Sequence, residues 1–414
     1  MTDAPSLDVD LHDPAVQEDW YPTYDRLRSE CPVHKMPVTG ERVLTRYDDI
    51  SYALRHPEIF PNSRTNTSFR LFQSDQAMAI FDERGWPRST PLGSNPPIHR
   101  AYRALIDPWL AGPQVERYRP MITGFVDELL DALPVGEPFD FLEEVAKPLP
   151  YKVITSVMGF PQKDRDRLSE WAAAWVKPFM RGLSEEQEVE VASQLVDFQH
   201  YLVDAAHARR RQPSDDLTSH VANALLEEEG KDPRPLTDEE LAGVLDHVFV
   251  GGNETTTFAL TSGLWLLCEN PEAEAALRAD IGLLDQFLRE VLRLESPTQG
   301  LWKGVSEDVE LSGVTIPAGS GVHVRFAAAN RDPERFGCPA QLDLERSNSG
   351  RHLAFGAGVH RCPGEFLTLL EQRITYERLF ERFERIELAP GLNTFEHIPG
   401  FTLRSLRELH LIVR

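Results

Sequence analysis

The stretch from His352 to Gly364, HLAFGAGVHRCPG, carries the first chemistry in the chain. Three glycines and a proline let its backbone take positive φ and approach a bound group closely. Cys362 closes the loop, just before an apolar run at helical spacing: Phe366, Leu367 and Leu370. Backbone N–H groups and the dipole stabilise a thiolate at a helix N-terminus. That describes a sulfur that ligates a metal or attacks as a nucleophile. The alternative is a buried, inert cysteine, the commoner fate of a lone one. Gly356 and Gly358 form a G-x-G, but the third glycine of a dinucleotide fingerprint would fall at Arg361, which excludes it. A nucleophilic pair of Cys362 with His360 is disfavoured, because residues two apart rarely face each other.

The second constellation is Gly251-Gly252-Asn253-Glu254-Thr255. Two glycines inside a helix cost roughly 1 kcal/mol each against alanine, so they point to a bulge or a close approach to bare backbone. Simple tight helix packing is the competing explanation. A threonine hydroxyl bonds the carbonyl four residues back, here Gly251, and so bends a helix and opens a pocket. The third is Glu290-Val-Leu-Arg293, an i,i+3 pair that by itself is an ordinary solvated helix face. The fourth is Asn95-Pro96-Pro97-Ile98-His99-Arg100-Ala-Tyr102-Arg103. Here His99 and Arg103 are i,i+4 neighbours, which otherwise read as an exposed basic face.

Helices must position most of these groups. Thr237 and Glu240 form a T-x-x-E capping box, followed by a stripe at Leu241, Val244, Leu245, Val248 and Phe249. This predicts a helix from Asp238 to about Cys268, roughly 45 Å long at about 1.5 Å per residue. Asn95 reads as an N-cap with proline at the first helical position. Short strands are expected at Pro32–Met36, Arg42–Arg46 and Val305–Phe326, and again from Ile386 to Arg414. Residues 61–94, rich in Ser, Thr, Asn, Pro and Gly, read as a long loop, and such loops are often functional lids.

The chain has 414 residues, with 41% hydrophobic and 26% charged. That is an ordinary globular balance and rules out disorder and collagen-like repeats. The net charge of −23 argues against a nucleic-acid or membrane-surface role. Four scattered cysteines, Cys31, Cys268, Cys338 and Cys362, give neither a disulfide framework nor a zinc site. The acidic N-terminus lacks the features of a signal peptide, and no run is apolar enough to span a membrane. A cytoplasmic, monomeric protein is expected, with residues 1–19 as a tail and 20–414 as a single catalytic domain.

The pattern F-G-x-G-x-H-x-C-x-G at Phe355–Gly364 resembles the heme-binding loop of the cytochrome P-450 superfamily. The resemblance runs from about Trp20 to the C-terminus. It implies a mainly α fold with smaller β regions and a long central helix across a buried heme b. Cys362 is then the iron ligand, whose thiolate favours O–O cleavage. His360, His99 and Arg103 match residues that hold heme propionates, and Lys303 stands where the family usually has an arginine. Lysine supplies the charge without the fork. Asn95 and Leu369 likewise replace a family Asp and Arg. Thr255 and Glu254 match the alcohol and acid of the oxygen-activation groove, with Glu in place of the more common Asp. Glu290, Arg293 and Arg346 match a structural network.

The implied activity is monooxygenation of a hydrophobic small molecule with O₂, with electrons from a separate ferredoxin and its reductase, since no flavin or NAD motif is present. A peroxide-driven peroxygenase and a non-catalytic heme sensor or carrier are the alternatives, and the Glu254-Thr255 pair argues against both. By analogy the substrate pocket is lined by the 61–94 loop, by the helix at Val244, His247 and Val250, and by Gln299–Leu301. Phe69, Leu71, Phe72, Met78, Ile80 and Phe81 then supply apolar surface, and Arg64, Arg70, Arg84 or Arg88 an anchor for an acid. Arg100 and Arg361 are expected to form a basic patch for the electron donor.

Overall fold

The computed structural model describes residues 7–62, 71–86, 91–179 and 183–414. Phe69, Arg64, Arg70 and Arg88 lie outside them. About 56% of the residues are helical. The helices used below are, in chain order, α1 (Asp75–Arg84), α2 (Ile98–Leu110), α3 (Arg165–Val176), α4 (Glu185–Arg211), α5 (Asp238–Gly251), α6 (Glu254–Glu269), α7 (Leu284–Leu294) and α8 (Glu365–Arg382). Two compact units form. One comprises Met1–Thr67, Val126–Lys147 and Thr255–Arg414, the other Ser68–Phe125 and Pro148–Glu254.

The first unit is built on a four-stranded sheet of β1 (Val33–Lys35), β2 (Arg42–Leu44), β3 (Leu301–Gly304) and β4 (Gly321–Val324), in the order β1-β2-β4-β3. Strands β2 and β4 run parallel and the outer pairs antiparallel, with Lys303 opposite Val322. Leu44, Ile50, Phe60, Val322, Val324 and Phe326 share one core cluster beneath the sheet. From Leu7 the segment read as a tail is packed in this unit, and Leu11 is fully buried with Trp20 and Tyr24.

In α7 the apolar stripe Leu284, Phe287, Leu288 and Val291 is fully buried, and so is the acid–base pair. Arg293 donates to both oxygens of Glu290 at 2.6 and 2.8 Å, and Arg346 Nε donates to Glu290 Oε2 at 3.1 Å. The network implied by the resemblance is therefore present, and its surroundings are dry rather than solvated.

In the second unit, the segment read as a loop contains α1. Ser74 caps it, and its apolar residues are used for packing. Phe72, Ala77 and Phe81 are buried against Ala174 of α3 and Val191, Ala192, Leu195 and Val196 of α4, with Leu71, Met78 and Ile80 partly buried on the same cluster. These side chains therefore form a core between this segment, α3 and α4. A polar clamp fastens each end of α1. At one end the Glu188 carboxylate accepts from the Gln73 and Ser74 amides at 3.1 and 2.6 Å. At the other, Gln199 accepts from the Trp86 amide at 2.9 Å and donates to its carbonyl at 3.0 Å. Arg84 is exposed and pairs with Asp197 of α4 at 3.8 Å.

Two boundaries differ from expectation. Helix α2 starts at Ile98 with Pro97 at its cap, so Asn95 is not the N-cap. The capping box of Thr237 and Glu240 forms as expected, but the long helix it starts is made in two segments, α5 and α6, separated by Gly252 and Asn253.

Candidate active site

The cysteine loop is shaped by its glycines. Gly356 and Gly358 have φ of 66° and 70°. A Cβ at Gly358 would stand 2.4 Å from the Leu54 carbonyl oxygen, so only glycine fits where the loop crosses the end of the Tyr47–Arg55 helix. The Cys362 amide donates to the Phe355 carbonyl at 2.9 Å and closes the turn, and α8 begins three residues later. Cys362 is exposed, unlike the buried Cys31, so it is not the inert core cysteine. Arg361 beside it is bidentate with Glu365, both bonds at 2.6 Å, so its charge is already compensated.

Three segments distant in sequence meet next to this loop. Ser306 and Gly304 donate their amides to the carbonyls of Ile59 and Pro61, at 2.9 and 2.8 Å, which lays residue 62 alongside β3. Lys303 Nζ donates to Asn62 Oδ1, and Asn62 Nδ2 lies 3.2 Å from both ring nitrogens of His360. Lys303 is only 3% exposed. Among the described residues no carboxylate pairs with it, and burial pulls its pKa down to about 8. Sequence reasoning missed Asn62, which belongs to no motif.

In the second unit His99 is buried on α2, while Arg103, one turn on, pairs with Asp107 at 2.7 Å. Helix α5 ends because Asn253 turns its side chain inward. Its Nδ2 donates to the Phe249 carbonyl at 2.6 Å, while its own amide goes to Val250 at 3.3 Å. Asn253 thus takes part in the break between α5 and α6. A Cβ on Gly251 would meet nothing within 4 Å, whereas one on Gly252 would meet Ile154 at 3.1 Å. The bare backbone at Gly251 therefore borders open space, and Gly252 is needed for packing. Burial pushes the Glu254 carboxyl up to about 7. The units divide at the Glu254–Thr255 bond, so acid and alcohol are consecutive but belong to different units.

The donor set favours iron carried in a macrocycle. Among the described residues no three His, Cys, Asp or Glu side chains gather to hold a metal ion by themselves. The lone sulfur of this loop, with a buried ammonium that no described carboxylate compensates in the same unit, fits a metal that brings its own equatorial ligands and an anionic rim. Residues 63–407 match the cytochrome P-450 family model. The chain belongs to the cytochrome P-450 family. It is 34% identical to the cytochrome P-450 monooxygenase PikC of Streptomyces venezuelae, over 98% of this chain and 94% of that one. It is 30% identical to the 6-deoxyerythronolide B hydroxylase of Saccharopolyspora erythraea, over 99% and 98%. The solved structure of the bacillaene polyketide synthase cytochrome P-450 PksS of Bacillus subtilis superimposes with a TM-score of 0.84 at 28% identity, over 98% and 99% of the two chains. This cytochrome P-450 is a monooxygenase whose cofactor is heme b. Among the described residues no helix is long and apolar enough to cross a membrane.

Proposed function

We propose that this cytochrome P-450 hydroxylates a hydrophobic, polyketide- or terpenoid-sized molecule in the cytoplasm, as a monomer, with electrons from a ferredoxin and its reductase. Relatives named for 6-deoxyerythronolide B and for a bacillaene polyketide synthase support the substrate class. The observation that carries the reading is the exposed Cys362 in its glycine-shaped loop, with the buried Lys303 in the same unit. Cys362 would hold the heme iron, with Lys303, His360, His99 and Arg103 on its carboxylates. The chain from Trp20 onward acts as one catalytic domain, because the family match runs through both units.

Bound heme supplies the oxygen-activating iron. The chain supplies the protons. A carboxyl near pKa 7 holds a proton at neutral pH and can still release it, which suits a general acid. Glu254 Oε carries the proton, and Thr255 Oγ1 delivers it. Well-placed acid assistance is worth about 10²- to 10⁴-fold. Thr255→Ala is therefore expected to consume reduced cofactor near the wild-type rate while diverting most electrons to hydrogen peroxide. Product and peroxide are measured together at saturating substrate, and an unchanged product yield per electron would refute the role. Because the protonated form is the donor, yield should fall as pH rises through about 7, and Glu254→Gln should flatten that profile.

The electron donor should be a small acidic ferredoxin. Arg100 is exposed on α2, whereas Arg361 is neutralised by Glu365. Exposed charges act over about 8 Å at physiological salt, so a local cation operates despite the net charge of −23. Stopped-flow reduction should slow with added salt and in Arg100→Glu, and respond less to Arg361→Ala. Salt-independent reduction would sink the proposal.

A further inference from the structure

We propose that Asn62 is a positioning residue of the cofactor's carboxylate site, a neutral amide that ties the Lys303 ammonium to the His360 ring so that both present to one anionic group. The inference rests on the proposed assignment of Lys303 and His360 to a heme carboxylate.

The argument starts from charge. An ammonium 97% removed from solvent normally sits against a carboxylate, because an isolated buried charge is costly. Among the described residues Lys303 has the Asn62 amide oxygen and no carboxylate. An amide orients the ammonium without cancelling it, so a full positive charge is left for a further anion. The amide's other end reaches His360 at 3.2 Å, from a loop 298 residues away in sequence. One side chain thus fixes the separation of two donors from different segments. An arginine would meet a carboxylate with its own planar fork, whereas lysine is a point charge on a flexible stem. Asn62 restores the missing constraint from outside the lysine. Its backbone is held for that purpose: the pairing of Ile59 and Pro61 with Ser306 and Gly304 leaves residue 62 little freedom.

Asn62→Asp tests this sharply. The aspartate is nearly isosteric and keeps the hydrogen bond to Lys303, so a purely structural role would be preserved better by Asp than by Ala. A carboxylate there would also claim the lysine's charge and repel the cofactor's own carboxylate. Heme loss from the holoprotein to excess apomyoglobin is followed by absorbance for wild type, Asn62→Ala and Asn62→Asp. From the usual strength of a charged hydrogen bond, loss should rise roughly tenfold or more in Asn62→Asp and only about threefold in Asn62→Ala. The same proteins are then loaded with heme dimethyl ester, whose carboxylates are masked, and the excess loss in Asn62→Asp should vanish. Loss from Asn62→Asp no faster than from Asn62→Ala, or an excess that persists with the ester, would overturn the proposal while leaving Cys362 untouched. A wild-type protein that binds heme and its ester equally well would instead remove the carboxylate assignment itself, and the inference with it.

Discussion

Replacing Cys362 with alanine is expected to abolish the red-shifted carbonyl band of the reduced protein, with the other three cysteines left in place. The choice among the four sulfurs follows from their surroundings. Burial pushes the Cys31 thiol up, and pushes Cys268 up to about 12, so neither ionises near neutral pH. Cys338 is exposed, but no helix starts near it, and its backbone carbonyl is taken by Arg346. Cys362 alone combines exposure with a turn closed by its own amide and a following helix. Carbon monoxide is added to the reduced wild type, Cys362→Ala and Cys338→Ala, and the Soret region is recorded. The thiolate-type band should survive in Cys338→Ala and disappear in Cys362→Ala. Its retention in Cys362→Ala would show the ligand to be another residue.

The second large effect is on folding. Glu290 is completely buried and is shared by two guanidinium groups, Arg293 and Arg346. Arg293 also donates to the carbonyls of Asn330, Pro339 and Gln341, and Arg346 to that of Gly337. An exposed surface pair costs little to break, but removal of Glu290 leaves the buried Arg293 without its carboxylate and Arg346 with the more distant Asp343, at 3.9 Å. Breaking a buried pair from one side costs about 3–5 kcal/mol. Set against a total stability of about 5–15 kcal/mol, that removes a large share of it. Glu290→Gln should lower the denaturation midpoint by a corresponding amount, or give no soluble holoprotein. Equilibrium unfolding that matches wild type would show the charge to be dispensable.

The motifs behind both predictions were legible in the sequence, because their spacing is local. The glycines around Cys362, the T-x-x-E box and the Glu290–Arg293 spacing each act within one or two turns of chain. What was not legible depends on partners far away. Asn62 acquires its role from Lys303 and His360, 241 and 298 residues distant. The α1 segment, DQAMAIFDER, is short and flanked by loop-like residues, and its packing against α3 and α4 could not be read from its own sequence. Asn253 looked like an ordinary helix residue, and only its inward turn to Phe249 shows that it ends α5. The burial of Glu290 and Arg293 was hidden for the same reason, since an i,i+3 pair looks identical whether wet or dry.

The doubly clamped α1 has a dynamic consequence. A ten-residue helix is marginal in water by itself. Its order is therefore conditional on α4, and its amide hydrogens are protected only while Glu188 and Gln199, about three turns apart, both hold. Loss of either end exposes the cluster around Phe72 and Phe81 and weakens the other, so the helix opens as one cooperative unit instead of fraying residue by residue. Hydrogen exchange along Asp75–Arg84 is then expected to report a single opening equilibrium, the detachment of a whole helix from its support.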